Sequence, residues 1–166
     1  VSVTGRQHTL ERCQVTSSGD IDSVLGIATD LTTAALRRRG ARAGSVMVFL
    51  PGYKEMLQVQ KNLLEKVPGL TILQLHSELI GDENEELMNW TEERGEENKV
   101  VLSSVIGARS VSLSGIRYVI IHPLMRCSSL HASGLTRIRD YLVSQELIGN
   151  MGGRAGRESD GLVTEI

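Results

Sequence analysis

The chain has 166 residues, 40% of them hydrophobic and only 3% aromatic, with a single Trp (Trp90) and a single Phe (Phe49). That length suits one domain with a real core, and the scarcity of rings leaves Leu, Ile and Val to build it, which favours layered α/β packing over a small aromatic-rich module. Eighteen basic against twenty acidic residues give a formal net charge of −2, so nothing draws the whole molecule to a polyanion and any nucleic-acid contact has to be local.

In chain order, the first periodic stretch is helical. Ile21, Val24, Leu25, Ala28, Leu31 and Ala35 recur at helix spacing behind Asp20 as N-cap, with Gly40 as a stop. The short β-branched run 45–50 follows, then a helix carrying Met56, Val59, Leu63 and Leu64 between the Pro51-Gly52 and Pro68-Gly69 turns. Two further strand-like runs, 70–75 and 99–104, flank a third expected helix over 82–93 that turns Leu87, Met88 and Trp90 inward. The run 117–122 is again nearly all apolar, as strands buried on both faces of a parallel sheet are. Strands alternating with helices predict βαβ crossovers and one largely parallel sheet, with any ligand at the carboxyl ends of its strands. Residues 122–143 receive no role.

Cys13 and Cys127 stand too far apart in sequence for a disulfide framework or a zinc site, and read as two separately buried thiols in a reducing compartment. No apolar run is long enough to span a membrane and no signal peptide is visible, so the expectation is an intracellular, non-secreted protein. The chain starts without Met and stops on Thr-Glu-Ile, which reads as a piece of something longer. The arginines of "RRRGAR" (37–42) end the first helix, where cations suit its dipole; a phosphate-contacting patch is the other reading. The acidic stretch 78–97 reads as a solvated face.

The chain contains no GxxxxGK[ST] loop and no acidic pair closing a strand, so it lacks the phosphate cradle and magnesium ligand of a self-sufficient ATPase. It has a complementary part. "GNMGGRAGRESDG" (149–161) sets Arg154 and Arg157 three residues apart among glycines. Arginines held at the rim of a sheet can stabilise charge on a transferring γ-phosphate, an effect worth about 10³ to 10⁵ in rate. A helix over 144–156, capped by Ser144, would put Asn150, Arg154 and Arg157 on one face. The plainer alternative is that the two arginines solvate the domain or pair with Glu158 and Asp160.

These residues also carry a resemblance. "GGRAGR" (152–157) resembles the end of the QRxGRAGR motif of superfamily 2 helicases, in particular the DEAH-box and related DExH RNA helicases. "VMVFLPG" (46–52) resembles the first strand of that family's second motor domain, and "LQLHSEL" (73–79) its LHS segment. "KVVLSSVIGARSVSLSGIRYVI" (99–120) resembles KVILATNIAETSITI and the strand after it. Order and spacing agree from the edge segment 5–15 to the closing "GLVTEI". The resemblance implies that residues 1–166 form a second RecA-like domain: an α/β three-layer sandwich, its largely parallel central sheet covered by helices on both faces.

It further implies the second motor domain of an ATP-dependent RNA helicase. ATP with Mg²⁺ would be bound mainly by an absent first RecA-like domain, and RNA would be the other partner; the fragment alone would be monomeric, inactive and independent of membranes. Arg154 and Arg157 then match the arginine fingers, and Asn150 stands where the family has a Gln that orders the attacking water. Gly153 and Gly156 would clear side chains from the approach to nucleotide. Ser104, replacing a Thr, and Ser77 match residues at the RNA backbone, and Gly52 sits where its amide could meet phosphate or simply turn the chain. His76 reads as structural, since no partner lies at ligand spacing, and no metal site is expected.

Met151, Val105, Ala108, Arg109 and Ile121 depart from the family's Arg, Asn, Glu, Thr and Asp. Apolar replacements cannot hydrogen-bond, and those positions link RNA contact to nucleotide contact in the family. The competing expectation is therefore a helicase-derived RNA- or protein-binding domain with degenerate, uncoupled motor motifs.

Overall fold

The computed structural model describes residues 8–17, 19–38, 44–76, 99–108, 113–131 and 134–166. The elements are β1 (Leu10–Gln14), α1 (Ile21–Leu36), β2 (Ser45–Phe49), α2 (Tyr53–Lys66), β3 (Ile72–Leu75), β4 (Val100–Ser103), a 3-10 turn (Val105–Ala108), β5 (Ile116–Ile121), β6 (Leu124–Leu130), β7 (Thr136–Leu142), α3 (Gln145–Gly152) and β8 (Gly161–Glu165). Six strands form one sheet in the order β1-β8-β5-β2-β4-β3, every neighbouring pair parallel. The expected third helix over 82–93 lies outside the described residues, as do Gly40, Arg39, Arg42, Ser77 and Arg109.

Strand alternation sends neighbouring side chains to opposite faces. In β2, Val46 and Val48 join an apolar cluster with α1 and α2, while Met47 and Phe49 join a second cluster with α3 and the 3-10 turn. Both faces are covered, which is why these strands carry almost no polar residue. α1 starts where Asp20 accepts a hydrogen bond from the Ser23 amide at 3.0 Å. Its buried Thr29, Thr32 and Thr33 hydroxyls donate to carbonyls one turn earlier, so no polar group is stranded against the sheet. α1 ends at Leu36, and Arg38 then stacks over the Tyr118 ring, 5.4 Å from its centroid. That is the end of the sheet opposite the carboxyl rim, a packing role for this arginine.

Two expectations change. Neither cysteine is buried: Cys13 is exposed and Cys127 partly so, because β1 is an edge strand and Cys127 lies on a hairpin outside the sheet. Residues 122–143, which received no role, form that hairpin: β6 and β7 pair antiparallel from Leu124↔Leu142 to Leu130↔Thr136. Every residue of β7 is exposed, so no apolar face marks it in the sequence. Among the described residues, no helix is long and apolar enough to cross a membrane.

Candidate functional site

The carboxyl ends of β5, β2, β4 and β3 form one rim, and hydrogen bonds run along it. Leu50 N–H donates to the Ser103 carbonyl at 2.8 Å, Ser104 N–H to the Leu75 carbonyl at 3.0 Å, and His122 N–H to the Phe49 carbonyl at 3.0 Å. Gly52, Ser104 and His76 therefore stand on neighbouring strand ends. Gly52 is the N-cap of α2 with extended backbone, and its carbonyl accepts from Met56 N–H at 3.1 Å. The ring of Tyr53, in the first turn of α2, tilts against His76 with centroids 4.8 Å apart, consistent with a packing role for that histidine. Ser104 is half-buried. Ser77, expected beside it, lies outside the described residues.

The arginine segment differs from the expected helix over 144–156. Ser144 does cap α3, accepting from Leu147 N–H at 3.3 Å, but the helix stops at Gly152. Three glycines in five residues (149, 152, 153) weaken it, and the Gly153 amide closes it on the Gly149 carbonyl at 3.0 Å. Gly156 then takes a left-handed φ of 68°, open to glycine at no steric cost. A Cβ on Gly161 would fall 2.6 Å from the Gly156 amide nitrogen. The glycines thus let the chain reverse at once into β8. Asn150 stays exposed on α3, while Arg154 and Arg157 belong to the following turn and not to its helical face.

The two arginines are not equivalent. Arg157 is exposed, its Nε donating to the Gly153 carbonyl at 3.0 Å. Arg154 is partly buried and its Nη2 donates to the Ala108 carbonyl, at the end of the 3-10 turn. Burial, and secondarily the Arg157 charge, lower its pKa, though a guanidinium stays protonated. The turn holding Arg154 begins directly after Ser104, so the hydroxyl on the rim and the inner arginine are four residues of backbone apart. Glu158 accepts from the Gly115 amide at 3.1 Å and Asp160 from the Thr9 amide at 2.8 Å; these carboxylates staple the loop to its neighbours.

The four apolar departures from the motif share one fate. Met151, Ala108 and Ile121 are 2%, 3% and 2% exposed and belong to one apolar cluster, with Val105 packed against it. Positions that are polar in the motif have become core. A paired change sits beside them: Ser103 and Gly107 stand where the motif has Ala twice. A Cβ on Gly107 would lie 2.1 Å from Ser103 Oγ and 2.7 Å from Met47 Cε, so the serine hydroxyl, which donates to the Ser104 carbonyl at 2.8 Å, occupies the volume the glycine vacates.

The ion pairs at the root of the hairpin have no counterpart in the local sequence pattern. Arg126 on β6 donates Nη1 and Nη2 to the two oxygens of Glu55, each at 3.0 Å, and Nε and Nη2 to those of Asp140 at 2.8 and 3.0 Å. These hydrogen bonds, to Asp140 first, raise the Arg126 pKa and lower that of Asp140. His122 is 2% exposed, its Nδ1 accepting from Leu124 N–H at 3.0 Å, and burial lowers its pKa. The one available signal was the alternation of "TRIRDYL" (136–142) after a Ser-Gly turn, which is a hairpin pattern. Among the described residues, no cluster of His, Cys, Asp or Glu could hold a metal ion.

Known proteins resemble this arrangement. The family described as helicase conserved C-terminal domain matches residues 27–158. The chain is 30% identical over 138 residues to the ATP-dependent RNA helicase HrpB of Escherichia coli (strain K12), covering 81% of this chain and 16% of that protein. It is 27% identical over 145 residues to the probable ATP-dependent RNA helicase DHR2 of Saccharomyces cerevisiae, covering 80% of this chain and 20% of that protein. The crystal structure of the E. coli DEAH/RHA helicase HrpB superimposes with a TM-score of 0.79 at 26% identity, over 98% of this chain and 20% of that one. A second, of the E. coli DExH-box NTPase HrpB, gives 0.77 at 27% identity over the same shares. The chain spans only 16% to 20% of the length of the relatives it matches.

Proposed function

Since the chain belongs to the helicase conserved C-terminal domain family and has its RecA-like fold, we propose that it is the second motor domain of an intracellular ATP-dependent RNA helicase. ATP with Mg²⁺ is the substrate, held mainly by a first RecA-like domain that carries the phosphate loop and acidic motif missing here. Arg154 and Arg157 act as fingers on the γ-phosphate, and Asn150 helps order the attacking water. Gly153 and Gly156 keep the approach to nucleotide clear. Gly52, Ser104 and Ser77 form this domain's half of the RNA track, and the isolated domain is a monomer that hydrolyses nothing.

One observation carries this reading: Arg154 rests on the turn that starts at Ser104, so the proposed contacts to RNA and to nucleotide share four residues of backbone. The division of labour follows from position. Arg157 is exposed and reaches solvent on the side where phosphate would approach. Arg154, anchored to Ala108, fixes the turn and presents its remaining donors in a preset direction, so that charge developing on the γ-phosphate meets a dipole already oriented.

The test pairs two measurements. In the full-length protein, Arg157→Ala should lower RNA-stimulated ATP hydrolysis by about 10² or more and leave the melting temperature of the isolated domain unchanged, because an exposed arginine contributes little to stability. Arg154→Ala should lower hydrolysis as far, and should also cost the domain about 1–3 kcal/mol through the lost bond to Ala108. Undiminished turnover in both variants, beside an active wild type, would overturn the finger assignment. The burial of Met151, Ala108 and Ile121 favours a second reading, a helicase-derived RNA- or protein-binding domain with an uncoupled motor, and a wild type without ATPase activity would select it.

A further inference from the structure

The strongest feature outside that reading is the forked ion pair at the root of the hairpin. Glu55 is 5% exposed, and a buried carboxylate is tolerable only when paired. Its partner comes from another element 71 residues along the chain. Arg126 lies edge-on to two carboxylates at once, using both terminal nitrogens on Glu55 and the other edge of the fork on Asp140. A lysine, with one nitrogen, cannot reproduce that.

The contact extends to the rim itself. Arg126 N–H donates to the Pro51 carbonyl at 3.1 Å, and a Cβ on Gly52 would sit 3.0 Å from Arg126 Nη1 and 3.3 Å from Glu55 Oε2. The guanidinium therefore lies over Gly52, where a larger residue would crowd it. Three parts of the chain meet on one side chain: the loop after β2, the first turn of α2 and the second strand of the hairpin. β7 itself is wholly exposed and pairs with β6 alone, while Met125 and Val143 at the root of the hairpin pack against the apolar cluster of the sheet.

We propose that Arg126 is a positioning residue for RNA engagement, which locks the β6–β7 hairpin and the Gly52 rim into one rigid unit. This rests on the reading of Gly52 and Ser104 as part of an RNA track. Glu55 is the arm of the lock on the rim and Asp140 the arm on the hairpin. Removing the fork loosens the hairpin beyond its packed root and releases the Pro51-Gly52 loop, so RNA meets a surface that must be ordered on binding. α2, which carries Glu55, packs on the face of the sheet opposite α3 and the arginines that follow it, so phosphoryl transfer at saturating RNA does not depend on the lock.

The test is RNA-stimulated ATPase of the full-length protein, read as the RNA concentration for half-maximal stimulation against the limiting rate. Arg126→Lys keeps a charge beside Glu55 and should leave the melting temperature within a few degrees of wild type. It should raise the half-maximal RNA concentration about tenfold while the limiting rate stays within about twofold, the signature of lost binding without lost transition-state stabilisation. Asp140→Asn, which cuts only the hairpin arm, should do the same to a smaller extent, and hydrogen exchange should show the β6 and β7 amides less protected in both variants. Unchanged RNA dependence, or rate and RNA dependence falling in step with the melting temperature, would overturn the positioning role. A responsive wild type with unmoved variants refutes only this inference; a wild type indifferent to RNA refutes the helicase reading, and this inference with it.

Discussion

Around Arg154 the domain is backed by hydrocarbon, with Met151, Ala108, Ile121 and Val105 in or against one apolar cluster. Around Gly52 it is tied by charge, with Arg126 bridging Glu55 and Asp140. The two kinds of backing do different things. Apolar packing is strong but non-directional, so it holds the arginine turn in place without fixing the orientation of the groups on it. A bidentate fork specifies orientation as well as contact, so the Gly52 rim has a defined geometry where the surroundings of Arg154 are apolar core.

That contrast can be broken most forcefully at Met151. Restoring the arginine of the motif there (Met151→Arg) would bury an uncompensated charge at a position 2% exposed, and should destabilise the isolated domain by about 3–5 kcal/mol in chemical denaturation. A loss below about 1 kcal/mol would mean that the position opens to the rim and that the hydrocarbon account of this side is wrong. Gly107→Ala should cost about 1–3 kcal/mol, since the new methyl must displace Ser103 Oγ, 2.1 Å away. Adding Ser103→Ala should recover most of that loss, because the two residues share one volume; simple additivity of the two single variants would show that they do not.

The smallest effect expected is a pH dependence beside the ion pairs. His122 has its pKa held below the ordinary 6.5 by burial. A depressed folded-state value means that the unfolded chain takes up the proton first, so stability is full above about pH 6.5 and falls as pH drops toward the folded value. His122→Asn, which keeps an acceptor for the Leu124 amide but does not titrate, should flatten that part of the curve. Parallel stability curves between pH 7 and 5 would show that the imidazole contributes no such slope. Asp140 works in a lower window: its pKa is depressed by Arg126, so its contribution is complete at neutral pH and is lost only in acid, below the ordinary carboxylate range.

Legible in one dimension was the frame: four β-branched runs, two amphipathic helices with the Asp20 cap, and the GRAGR motif near the end predict a largely parallel sheet and its rim. Buried strands and capped helices are local patterns of period and punctuation, and they survive in one dimension. The hairpin was legible only as the alternation of residues 136–142 after a Ser-Gly pair, because β7 is exposed along its whole length and carries no buried face. The end of α3 was not legible: the helical spacing of Asn150, Arg154 and Arg157 was real but three glycines let the chain turn first. Only the tertiary structure could decide that the motif's lost polar positions had become core, that Ser103 fills the space above Gly107, and that Arg126 serves two carboxylates 71 and 14 residues away. Each of these depends on which surfaces meet across strands distant in the chain, and no local period of residues encodes such a meeting.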